Sequence, residues 1–177
     1  KMVIVSMFFS GGLIPNYLLI SNLHLTGTVW AMLLPFAINQ FNLIILINFF
    51  KTLPQEIEEA ALIDGLGYFG ILFQIVLPLS TAALATVGLY TAVFFWNDWF
   101  NGLIYLNTSQ FPVMLFLRNI VNGTSMLGDA AGSADKTTIA ISIKSAVIIT
   151  STLPIIILYP FLQKYFVKGL TVGSVKG

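Results

Sequence analysis

The sequence predicts an all-α membrane protein: a polytopic helical bundle with about four spans, the first of them partial. Three observations carry this. Apolar residues make up 57% of the 177 residues and charged ones only 8%, whereas a soluble domain carries about 25% charged residues; a water-facing surface cannot be built from this. The apolar runs recur to the end of the chain, so a cleavable leader does not account for them. Several runs approach the ~20 helical residues that a hydrocarbon core about 30 Å thick demands, because in lipid every backbone group must bond within its own segment.

The same composition excludes several functions. Eight Lys and Arg stand against seven Asp and Glu, and the basic residues are scattered, so no phosphate-tracking patch forms and nucleic acid is not an expected partner. There is no Cys and one His, which removes disulfides, thiolate sites and thiol nucleophiles, and leaves no metal site. No catalytic constellation is expected: Asp98 and His24 alone would have to serve an intramembrane enzyme.

Taken in order, the partial span covers Met2 to about Leu13 and closes at Gly11, Gly12 and Pro15. It begins after Lys1 rather than Met, so the N-terminus is expected to be cut. Residues 14–28, around His24, form an external turn and short helix. The second span runs from about Val29 to Phe50, with Trp30 at one interface and Lys51 at the other. The third runs from about Leu79 to Leu106, interrupted by Asn97, Asp98 and Asn101. Residues 107–136, rich in Gly, Ser, Asn and Asp, make a second external stretch. The last span covers about Ile139 to Leu162, with Lys144 snorkelling and Pro154 tolerated as a kink, before a basic tail over 163–177. Lys1, Lys51, Lys164, Lys168 and Lys176 fall on one side, against Arg118, Lys136 and Lys144 on the other. That excess assigns the first side, with the 51–78 loop and the tail, to the cytoplasm.

The loop over 51–78 holds Lys51, Glu56, Glu58, Glu59 and Asp64 among apolar residues, too polar for hydrocarbon and too patterned for disorder. Thr52 and Gln55 fit a capping box, Pro54 suits a first turn, and the glutamates sit at the positive end of a helix dipole. A helix from near residue 53 is expected to stop at Gly65 in a left-handed cap, followed by a second apolar segment, Tyr68 to Val76, and by Pro78 opening the next span. Ile57, Ala60 and Ala61 form a small-residue face. These signals leave two readings open: a helix lying on lipid headgroups, or a face for close approach by another protein.

The spacing of this loop resembles that of a known family. Glu59-Ala60-Ala61, three residues, Gly65, nine residues, and Ile75-Val76-Leu77-Pro78 are similar to the EAA loop of binding-protein-dependent ABC importer permeases. Trp96-Asn97-Asp98, the run Gln163 to Thr171, and the ending Val175-Lys176-Gly177 resemble the carbohydrate-uptake branch, in particular permeases for oligomeric sugars. Such permeases usually have six spans, so the resemblance implies that the first two are missing here. It also implies that Glu59, Ala60, Ala61, Asp64, Gly65, Ile75, Leu77 and Pro78 form a coupling surface. The expected partners are cytoplasmic ATPase subunits that carry the ATP and Mg, a second homologous permease subunit, an extracytoplasmic sugar-binding protein and membrane lipid. This chain is expected to bind no cofactor itself, and it contains no Gly-x-x-x-x-Gly-Lys-Ser/Thr phosphate loop. The cell membrane is the implied location.

A candidate substrate path is Trp96, Asn97, Asp98 and Trp99, about one membrane thickness beyond Pro78 along a helix. Aromatic faces stack on sugar rings while Asn and Asp bond hydroxyls; an interfacial aromatic belt with a solvated Asp explains the same residues. Asn39 and Asn42, three apart on one helical face, either line the path or bond a neighbouring helix. A non-sugar cargo such as an amino acid or peptide is the runner-up, and an ion-coupled secondary carrier is a more distant alternative.

Overall fold

The structure is a computed structural model that describes residues 2–9, 11–130 and 134–173, with side chains described through Thr124 and over Thr138–Pro160. Among the described residues every regular element is helical, and the chain divides into two units.

The first unit comprises Lys1–Ser10, Ile38–Thr91 and Pro160–Gly177. Its helices are α1 (Met2–Phe8), packed on α4 (Gln40–Phe50), then α5 (Gln55–Ile63), α6 (Tyr68–Ile71), a π-turn over Leu72–Val76, α7 (Leu77–Leu79) and the first part of α8 (Thr81–Asn97). α4 starts where it does because Asn39, in an extended conformation, accepts the Asn42 N–H on its side-chain oxygen at 3.1 Å, which is ordinary N-capping. Asn42 is itself buried and donates its side-chain amide to the Thr91 hydroxyl at 3.2 Å, tying α4 to α8. Beside that bond Phe41 meets Tyr90 at 6.0 Å between ring centroids.

The second unit comprises Gly11–Ala37 and Ala92–Tyr159. It holds α2 (Leu13–Asn22), α3 (Trp30–Leu33) with a 3₁₀ turn over Leu34–Phe36, the end of α8, α9 (Trp99–Tyr105), a 3₁₀ turn over Thr108–Gln110, α10 (Val113–Ala130) and most of α11 (Ala134–Gly173). Its core is Ile20, Ala31 and Tyr105 with Leu25 and Ile104 around them, and Tyr17 stacks on Tyr105 at 6.0 Å. Gly102 is needed for packing: a β-carbon there would lie 2.5 Å from the ring of Pro112.

Among the described residues one helical stretch is long and apolar enough to cross a membrane alone: Thr138–Pro160, 23 residues of α11 with none of its most apolar window buried. Counting each broken pair, Trp30–Phe36 with Gln40–Phe50 and Tyr68–Leu79 with Thr81–Asn97, as one span gives up to three, against the four that hydropathy suggests. The expected 29–50 span is not continuous, because Pro35 lies in the 3₁₀ turn and Asn39 leaves the helical region before restarting it. The expected 79–106 span likewise breaks where Asp98 ends one helix and caps the next. The polar stretch over 107–136 is largely helical. α10 contributes Leu115, Leu117 and Thr124 to the buried interior, an amphipathic pattern that the Gly, Ser and Asn content conceals. Pro154 does not interrupt α11.

Candidate functional site

The loop over 51–78 is a helix, a tight cap and a second helical segment. α5 begins after Pro54, which has extended backbone (φ −63°, ψ 133°) and no side-chain cap. The expected capping box does not form: Thr52 lies in the turn just past α4, where its hydroxyl donates to the Phe49 carbonyl at 2.7 Å, and Pro54 takes the capping position. Glu56 and Glu58 occupy the first turn, where the helix dipole favours negative charge. The end of α5 is as expected. Gly65 N–H donates to the Leu62 carbonyl at 3.1 Å and Leu66 N–H reaches back to the Ala61 carbonyl at 3.0 Å, the paired bonds of a Schellman cap. Gly65 has φ +84°, and a β-carbon there would meet nothing within 4 Å. The requirement for glycine is thus conformational, not steric.

Burial sorts the residues expected to form the coupling surface. Glu59, Ala60, Asp64, Gly65 and Pro78 are exposed, while Ile75 and Leu77 are half-buried. Ala61 is only 4% exposed, so little of it reaches the outer surface. A hollow of about 400 Å³ on this side is lined by Glu56, Ile57, Ala60, Ala61, Asp64, Leu66 and Ile75. The outward apolar surface comes instead from Ile63 (86% exposed), Tyr68 (75%), Phe69 (80%) and Phe73 (64%). Sequence reading passed over these four. The available signal was Phe69 and Phe73 at i and i+4 in the apolar segment that follows Gly65.

The candidate path residues are brought together at the α8–α9 junction, each with an internal partner. The Trp96 indole N–H donates to the Ser151 carbonyl at 2.9 Å, and the Asn97 amide donates to the Val93 carbonyl at 2.9 Å. Asp98 caps α9: it accepts the Asn101 N–H at 3.2 Å and, on both carboxylate oxygens, the Asn101 side-chain amide at 3.0 and 2.9 Å. The Arg118 guanidinium lies 3.7 Å over the Trp99 ring, a cation–π contact that covers one indole face. Asn39 and Asn42 belong to the first unit and are engaged in capping and helix pairing there. No group of three or more His, Cys, Asp or Glu side chains with metal-binding geometry occurs among the described residues.

Comparison with known proteins agrees with the loop. A family described as the binding-protein-dependent transport system inner membrane component matches residues 2–172. Protein LplC of Bacillus subtilis (strain 168) is 49% identical over 183 residues, covering 100% of this chain and 61% of the relative. The polygalacturonan/rhamnogalacturonan transport system permease protein YtcP of the same organism is 48% identical, covering 99% of this chain and 63% of the relative. The crystal structure of a bacterial ABC transporter involved in the import of the acidic polysaccharide alginate contains a chain 30% identical to this one. It superposes with a TM-score of 0.75 and covers 93% of this chain and 60% of that one. The chain therefore spans about 60% of the length of the relatives it matches. On the evidence of that family match and of relatives aligned along essentially its whole length, this chain belongs to the family of binding-protein-dependent transport system inner membrane components.

Proposed function

We propose that this chain is part of the transmembrane permease subunit of an ATP-driven oligosaccharide importer, and that its loop over 51–78 docks on a separate cytoplasmic ATPase. The observation that carries the reading is the loop's architecture. It is an acidic helix that exposes Ile63 at its end and is stopped by a positive-φ glycine, followed by a second segment that displays Tyr68, Phe69 and Phe73 to the outside and leads through α7 into α8. A cluster of exposed aromatic and aliphatic residues is the composition of a protein-binding patch. In this reading a second permease subunit completes the path and an extracytoplasmic binding protein delivers the sugar; the family's description supports dependence on a binding protein, and YtcP's name supports a sugar-polymer cargo. The chain is the non-hydrolytic component, and the loop and tail face the cytoplasm.

The test uses the full-length permease co-expressed with its ATPase subunit. Ile63→Ser and Phe69→Ser, both at well-exposed positions, should weaken association at least ten-fold, the effect of truncating a binding hot spot, with membrane insertion unchanged. Normal association in both variants, or uptake that persists in vesicles depleted of ATP, overturns the reading.

A further inference from the structure

Between the docking loop and α8 the backbone turns through 77°, and Ser80 stands at the turn. It is fully buried, at 0% exposure. Its hydroxyl donates to the Val76 carbonyl at 2.6 Å, and its N–H is shared between the carbonyls of Val76 at 3.0 Å and Leu77 at 3.2 Å. In the other direction its own carbonyl accepts the Leu84 N–H at 2.9 Å, the bond that leads into α8. One residue is thus bonded backward into the docking segment and forward into the span. Its backbone (φ −92°, ψ 12°) lies in the sparsely populated bridge region, and the five residues up to Val76 form a π-turn, a wider coil that offsets the hydrogen-bond ladder.

At a turn of this size the hydrogen-bond ladder is offset where water is scarce, and the Val76 carbonyl, already taken by the Ser80 N–H, gains a second donor in the Ser80 hydroxyl. Thr86 makes the same kind of bond, to the Ala82 carbonyl at 2.9 Å, inside the uninterrupted length of α8, so the hydroxyl bond alone does not bend a helix. At Ser80 it fixes a bend that the offset ladder permits.

We propose that Ser80 is a positioning residue: it pins the angle between the docking segment and α8, so that movement imposed on the loop is passed to the span instead of being absorbed at the turn. This rests on the docking reading above. α8 has 17 residues, about 26 Å at 1.5 Å per residue, so a slack of about 10° at Ser80 displaces its far end by about 4 Å. A displacement of that size spoils the registration of a helix against its neighbours.

The test is a distance measurement on the assembled full-length importer. Spin labels are placed at Glu58→Cys on α5 and Tyr90→Cys on α8, both exposed positions, in a stretch free of native cysteine. With Ser80 present, a narrow distribution that shifts on adding ATP is expected. Ser80→Ala should retain ATPase association but broaden the distribution and lose most of the ATP-dependent shift. The population of the pinned angle should fall by roughly two- to ten-fold, the range for one lost hydrogen bond. Thr86→Ala should leave both unchanged. If Ser80→Ala does not assemble, Ser80→Gly removes the hydroxyl without adding volume. A distribution as narrow and as responsive in the Ser80 variant as in the parent overturns the proposal. Loss of ATPase association in the parent itself overturns the docking reading, and this inference with it.

Discussion

The Trp96 indole N–H donates to the main-chain carbonyl of Ser151, 55 residues away in sequence and 2.9 Å away in space. A carbonyl inside a helix is already engaged by its own ladder, so this bond is additional and closes the end of α8 onto the middle of α11. Trp96 therefore has a structural duty whatever else it does.

Trp96→Phe keeps the ring and removes the donor. The expected result is a loss of about 0.6–1 kcal/mol, the usual worth of such a bond between membrane helices, read as a small drop in the thermal unfolding midpoint of the detergent-solubilised protein. Uptake that collapses with no change in midpoint would place Trp96 in contact with cargo.

At Gly65 the requirement is a positive φ in open space. Gly65→Ala should destabilise the end of α5 by about 1–2 kcal/mol, the penalty for an L-residue in the left-handed region, and Gly65→Asn by less. Faster amide exchange at Gly65 and Leu66, with the rest of α5 nearly unaffected, is the signature to measure. An equal response to Ala and Asn would show that space, not backbone conformation, is the constraint.

Asp98 divides cleanly between two roles by substitution. Asp98→Asn preserves a capping oxygen and should leave α9 intact, whereas Asp98→Ala should cost about 1 kcal/mol of helix stability, seen as faster exchange at the start of α9. Comparing sugar uptake in the two variants then isolates the negative charge. A defect in Asp98→Asn without fraying would assign the carboxylate to the substrate path.

Much of the loop over 51–78 was legible because its determinants are local. Gly65 at the end of an acidic helix can be read from neighbours within one turn, and the structure places it there with φ +84°. What was not legible depends on distance along the chain. Thr91 and Ser151 as partners of Asn42 and Trp96 lie 49 and 55 residues away, and no spacing rule reaches so far. Ala61 faces inward because an alanine gives no polarity signal to say which side it takes. The helix over Val113–Ala130 was hidden by Asn and Gly residues such as Asn119, Asn122 and Gly123 on its exposed side, and although Pro78 marks a new element, nothing local gives the size of the turn at Ser80.

The bare apolar length of Thr138–Pro160 sets how this protein can come apart. A rod of 23 such residues, about 34 Å long, partitions into a bilayer on its own composition. The short helices on either side of Asn39 and Asp98 hold their depth only through their neighbours. On heating, the expected outcome is release of the broken helices toward the headgroups with this one rod retained in the bilayer.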